Sequence, residues 1–197
     1  MKKFKLRDVK IQKVDPGQLN DRLLLINLYL TQGLTLLIGL VILLFQKRNP
    51  FHLFQFPNSV EFVYWGAGFA AVMFGADMLL SRFISEESMD DGGINSLLFR
   101  HRPIWHIVVI SAVVAVCEEL LFRGAIQYGL GSYWTSILFA AIHVRYLRHW
   151  IPTAWVFASS YGLGFIYVQT GTLWAPILCH FLIDLVSGLV IKFRRES

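Results

Sequence analysis

Charge is scarce in this sequence, and it is scarce in blocks. Asp, Glu, Lys and Arg make up 16% of the 197 residues, against about 25% in soluble domains. Leu23 to Phe45, Pro103 to Cys117, Gly124 to Ile142 and Trp150 to Cys179 hold no formal charge at all. Such blocks leave little room for a soluble domain; a bilayer span needs roughly 20 apolar residues, and mean hydropathy is +0.54. Cysteine is rarer still. Cys117 and Cys179 both lie in apolar runs, which speaks against a disulfide framework and for small buried hydrophobes. No internal repeat or low-complexity segment is visible, which weighs against an inverted-repeat transporter. Gln46-Lys47-Arg48-Asn49-Pro50, after the first apolar run, offers no small-residue cleavage site, so that run reads as a retained helix rather than a signal peptide.

What is present fits an all-α, polytopic membrane helix bundle with about six transmembrane helices. Residues 1–21 read as a basic tail and residues 22–197 as one membrane-embedded helical domain. The spans fall near Leu23–Phe45, Val60–Leu80 and Ile104–Gln127, then a fourth through His143, then Trp150–Val168 and Leu173–Ile191. Ser81–Arg102, with its acids and Gly92-Gly93, reads as a solvated loop. Gln169-Thr170-Gly171-Thr172 divides the last long uncharged run. In this arrangement fifteen of the eighteen Lys and Arg share the side of the termini; Lys47 and Arg48 lie opposite, and Arg123 is inside. The positive-inside rule makes both termini cytoplasmic. The same distribution assigns the net charge of +5 to lipid contact and orientation, not to nucleic acid.

Against this background Glu118-Glu119-Leu120-Leu121-Phe122-Arg123 is an anomaly, since an ionised group at a bilayer centre costs about 2.5–3.5 kcal/mol on insertion scales. Glu119 and Arg123, four apart, share a helix face and can pair. Glu118 is turned about 100° away, leaving it the freer carboxylate, the kind from which a general base is made in an apolar, partly wet cavity. A structural Glu–Arg pair pinning two helices would use the same residues. Phe139 and His143 repeat the spacing, as do His180 and Asp184. A carboxylate one turn from a histidine can orient its ring or share its water or metal, and such pairs also serve as interhelical glue. Gly129-Leu130-Gly131-Ser132 is the breaker cluster between spans three and four. Glu119 lies twelve positions before Gly131 and His143 twelve after, so an antiparallel hairpin sets both roughly 18 Å from the turn. His180, seven positions into span six, reaches roughly 10–11 Å of depth from the same side. Asp77, His101, His106 and His149 sit nearer helix ends or loops, where solvation or snorkelling suits them.

In that order Glu118-Glu119-x-x-x-Arg123, Phe139-x-x-x-His143 and His180-x-x-x-Asp184 resemble the motifs of the CAAX protease and bacteriocin-processing (CPBP, or Abi) intramembrane proteases, which include the type II CAAX prenyl endopeptidases. Gly162-Leu163-Gly164 through Thr170-Gly171-Thr172-Leu173-Trp174-Ala175-Pro176-Ile177 resembles the segment before the last motif in bacterial members. The resemblance covers about residues 104–191, a protease core; the first two spans match only in being hydrophobic. Asp184 departs from the asparagine of many members and adds a charge.

The resemblance implies an intramembrane endopeptidase in which Glu118 and His143 activate a water and His180 and Asp184 stabilise the oxyanion. Glu119 with Arg123 would hold the site, and Phe139 would support it. It implies peptide or membrane-protein substrates: prenylated carboxyl-terminal peptides, leader peptides or membrane segments. A bacterial plasma membrane is the expected location. No metal is favoured, since no His-Glu-x-x-His is present; the alternative is zinc held by Glu118, His143, His180 and Asp184. Two other classes stay open: a non-proteolytic scaffold or bacteriocin-immunity protein of the same fold, and a proton-coupled transporter relaying through Glu118, His143 and His180.

Overall fold

The computed structural model describes residues 21–80, 82, 93–144 and 150–194. The basic tail up to residue 20, Ser81, the acidic stretch 83–92, residues 145–149 with Arg145, Arg148 and His149, and residues 195–197 lie outside the described residues. The described chain is helical, with α1 Asp21–Phe45, α2 Pro50–Leu53, α3 Glu61–Leu80, α4 Ile94–Phe99 and α5 Ile104–Glu119. A π-helical segment, Leu120–Ile126, leads into α6 Gln127–Ile142, followed by α7 Trp150–Thr170 and α8 Trp174–Phe193. No strand forms among the described residues.

Five helical stretches among these are long and apolar enough to cross a bilayer, the longest being Ile104–Ile142. That stretch is two limbs. Gly131 leaves helical geometry at φ 73°, ψ 170°, a region open to glycine because it has no Cβ. The helix restarts with Thr135 and Ser136 hydroxyls donating to the Gly131 and Ser132 carbonyls, both at 2.7 Å. The chain then folds back, and the Phe139 ring lies edge-on to Phe122 with centroids 4.8 Å apart. The expected hairpin is there, and about six limbs result. The returning limb, Ser132 to Ile142, is only about 16 Å long, roughly half a hydrocarbon core.

The limbs alternate in direction. α8 runs antiparallel to α5: Leu173 lies over Gly124, Glu119 meets His180, and Lys192 reaches the Arg102 carbonyl. α1 runs with α5, from an Asp21–Arg102 ion pair at 3.0 Å to Arg48 on the Gly124 carbonyl. α3 packs closely on α8, where a Cβ on Gly66 would come within 2.8 Å of the Ala175 carbonyl oxygen. Gly171, at φ 64°, turns α7 into α8, in the expected break. One expectation needs correction. Ser81–Arg102 is not a solvated loop throughout: Ile94–Phe99 is helical, and Leu98 and Phe99 are buried against Ile107 and Ile110, because burying that apolar run outweighs leaving it in water.

Candidate active site

The bundle places its charge in one buried knot. Glu119 and Arg123 have no solvent exposure. Arg123 Nη1 donates to Glu119 Oε1 at 3.2 Å, and Nε approaches Oε2 at 3.1 Å, out of line for a good hydrogen bond. Nη2 donates to both the carbonyl and the hydroxyl of Ser160 on α7, each at 2.8 Å. The guanidinium also lies 5.1 Å from the Phe139 ring centre, within cation–π range. A charge this deep persists only when paired and hydrogen-bonded, and here three helical segments supply the partners.

Glu119 has a second partner. His180 Nδ1 lies 2.8 Å from Glu119 Oε1, while His180 Nε2 is 3.6 Å from Asp184 Oδ2, beyond hydrogen-bond length. The ring is therefore oriented across helices by Glu119, not by the carboxylate one turn away in α8. With an ionised Glu119, Nδ1 carries the proton and donates it.

Glu118 is separate, as its rotation from Glu119 requires. It is half-buried and accepts from Gln32 Nε2 on α1 at 3.1 Å. His143, at the end of α6, has Nδ1 2.7 Å from the Phe139 carbonyl oxygen. A carbonyl only accepts, so Nδ1 carries hydrogen and Nε2 is the basic nitrogen of the neutral ring. The Phe139 ring sits between the two histidines, 4.5 Å from His143 and 6.4 Å from His180 by centroids. Phe139 is thus a shared wall, buried to 5% exposure.

The π-helical segment carries Arg123 and is tied down from outside the motif. Gln46 Nε2 donates to the Ala125 carbonyl at 2.9 Å, and Arg48 Nη1 to the Gly124 carbonyl at 2.5 Å. The Arg48 guanidinium also stacks over Tyr128 at 4.3 Å. A π-helix displaces carbonyls from the ordinary ladder and is often found at functional sites; these side chains meet two of them.

All seven residues singled out from the sequence lie on or beside this knot. Gln32, Ser160, Gln46 and Arg48 were not singled out, and only the polar identity of Gln32 within an apolar span could have drawn attention to it. Asp77 is exposed, and His106 engages the Tyr29 hydroxyl at 3.0 Å, both away from the knot. Among the described residues no three His, Cys, Asp or Glu side chains converge as metal ligands, so the alternative set Glu118, His143, His180 and Asp184 does not form a ligand cluster. Cys117 and Cys179 are buried free thiols, as expected of small hydrophobes.

A family model, the type II CAAX prenyl endopeptidase Rce1-like family, matches residues 100–186, the stretch holding all three motifs. An uncharacterized protein, YpbD of Bacillus subtilis (strain 168), is 38% identical over 137 residues, covering 70% of this chain and 72% of that protein. No solved structure matches the chain. With its apolar helices, its ordered motifs and this relative, the chain is an integral membrane protein that belongs to the Rce1-like family of type II CAAX prenyl endopeptidases.

Proposed function

We propose that this protein is an intramembrane endopeptidase that hydrolyses a peptide bond with a water activated by Glu118 and His143. The observation that carries the reading is the division between the two acids. Glu119 is consumed by Arg123 and His180, whereas Glu118 meets a neutral amide and keeps partial exposure. A base must stay able to take a proton; a carboxylate locked to a guanidinium does so poorly.

In the reaction, the water oxygen bonds to the scissile carbonyl carbon as its proton moves to Glu118, with the basic Nε2 of His143 sharing that water. The carbonyl pair moves onto oxygen. His180 Nε2 donates to that oxyanion only in the doubly protonated ring, with Nδ1–H held by Glu119. Asp184, an acceptor when ionised, acts through His180 and not on the oxyanion directly. The C–N bond then breaks, and the leaving nitrogen takes the proton back from Glu118. Electrostatic stabilisation of this kind is commonly the largest catalytic contribution.

The substrate class that fits is a carboxyl-terminal peptide bearing a prenyl group, entering from the bilayer; the family's name supplies the precedent. The test is cleavage of a peptide library, with prenylated members, by the protein purified into lipid. Parent protein cleaves; Glu118→Gln and His143→Ala insert normally and do not. Retained cleavage by Glu118→Gln removes Glu118 as the base, whereas a parent protein that cleaves no member leaves the fold to a scaffold role. Activity lost to a strong chelator and restored by zinc would replace the metal-free mechanism.

A further inference from the structure

We propose that Gln32 is a positioning residue of this site: its amide N–H holds the Glu118 carboxylate, and its amide oxygen takes the hydrogen bond of that carboxyl group once it is protonated. The proposal rests on the reading of Glu118 as the base. Gln32 lies in the middle of α1, a helix outside the segment that matches the family model. It is 7% exposed, within an uncharged and mostly apolar span. Its Nε2 donates to Glu118 Oε1 at 3.1 Å. Its Oε1 is buried with no hydrogen-bond partner among the described residues. An unmet acceptor is costly in a low-dielectric interior, so packing alone gives no reason for glutamine here.

The chemistry of Glu118 does give one. During hydrolysis this carboxyl alternates between two states, a carboxylate that only accepts and a carboxylic acid that also donates. A lysine or arginine partner would suit the first state alone, and a leucine neither. An amide offers a donor and an acceptor side by side. In the resting state N–H meets the carboxylate and the amide oxygen is unmet. After the water's proton arrives, a rotation about the last side-chain bond of Gln32 lets the acid O–H meet that oxygen. When the proton leaves for the departing nitrogen, the first pairing returns. Gln32 thus serves both states without moving the backbone.

The test compares parent, Glu118→Gln and Gln32→Met in lipid, on an internally quenched peptide ending in an S-farnesyl cysteine and three further residues. Methionine keeps the length and packs in an apolar span, but supplies neither amide partner. Gln32→Met is expected to lower kcat about 10- to 100-fold, the size of one hydrogen bond to an ionised group, with KM within about twofold because no substrate contact is lost. Should methionine prevent insertion, Gln32→Asn, which withdraws the same amide by one methylene, is expected to show the same kcat-only loss. A second readout is the infrared band of the Glu118 carboxyl in 13C-glutamate-labelled protein, identified by its disappearance in Glu118→Gln. That band shifts in Gln32→Met if the amide holds the carboxylate. Parent-like kcat in Gln32→Met beside an inactive Glu118→Gln overturns the role of Gln32 alone. Equal cleavage by parent and Glu118→Gln instead overturns the underlying base. If parent cleaves no such peptide, the band decides, and an unmoved band refutes the contact.

Discussion

A guanidinium with no exposure to solvent survives at Arg123 because its N–H groups meet partners fixed by two other helical segments, Glu119 at the end of α5 and Ser160 in α7. Removing one member should therefore cost more than removing a neutral helper. Arg123→Met leaves Glu119 buried without its countercharge, and breaking such a pair typically costs about 3–5 kcal/mol. Ser160→Ala removes one hydroxyl while the Ser160 carbonyl still accepts, a loss of about 1–3 kcal/mol. Thermal unfolding in lipid should rank Arg123→Met well below Ser160→Ala, with both below parent; the opposite order would mean the knot is not held by its ion pair. The Glu119–Arg123 contact was legible in the sequence because i,i+4 spacing fixes it within one helix. Ser160 and Gln32 were not, because their contacts cross between helices over 37 and 86 residues. The Glu119 partner of His180 was hidden for the same reason. A short-range Asp184 was visible, while the stronger Glu119 partner is 61 residues distant.

Among the elements, the breaks were more legible than the windings. Gly131 and Gly171 both adopt positive φ, and each lies in a cluster that reads as a breaker. The π-helical segment left no trace, since the residues Leu120–Ile126 would equally suit an α-helix. It becomes visible only when Gln46 and Arg48 are seen to meet its carbonyls. Helix α4 was hidden by the acids and glycines before it. Close approach of helices through small residues is the general means of packing in membranes, and two glycines separate it from mere helix content. A Cβ at Gly66 would meet the Ala175 carbonyl oxygen at 2.8 Å and Leu178 at 3.2 Å, whereas one at Gly33 on α1 meets nothing within 4 Å. Gly66→Ala is expected to push α3 from α8 and destabilise by about 1–3 kcal/mol. Gly33→Ala is expected to be neutral or to stabilise by up to about 1 kcal/mol through helix propensity. Unfolding midpoints measured side by side check the contrast, and equal effects at the two sites would deny the α3–α8 contact its tightness.

For the molecule as a whole, the fold gathers distant basic residues at one end. Arg22 lies in the first turn of α1, Arg100 and Arg102 precede α5, and Lys192 and Arg194 close α8. Arg102 binds the Asp21 carboxylate, and its carbonyl accepts from Lys192 at 2.8 Å, so these chain segments meet at a single level. The other end has Lys47 and Arg48, and Arg48 is engaged by the Gly124 carbonyl and the Tyr128 ring. A charge held against the bundle is a structural fastening first and a topology signal second. Arg102 and Lys192 are fastened in the same way, so the count still favours that end, and it predicts that the end where α1 begins and α8 closes faces the cytoplasm. Reporter fusions would read this directly. Alkaline phosphatase joined after Ser197 should be inactive, and joined within the segment 55–59 it should be active, because that enzyme matures only outside the cytoplasm. The reverse pattern would place the basic end outside, against the positive-inside rule. The outcome also bears on access to the site. Glu118 lies about 21 Å along α5 from Ile104 but only about 9 Å before the level of Gly124, where Arg48 binds, so it is nearer the end carrying Lys47 and Arg48. With the predicted orientation, a water-soluble probe reactive with a cysteine at position 118 should label faster from the outer face than from the cytoplasmic one.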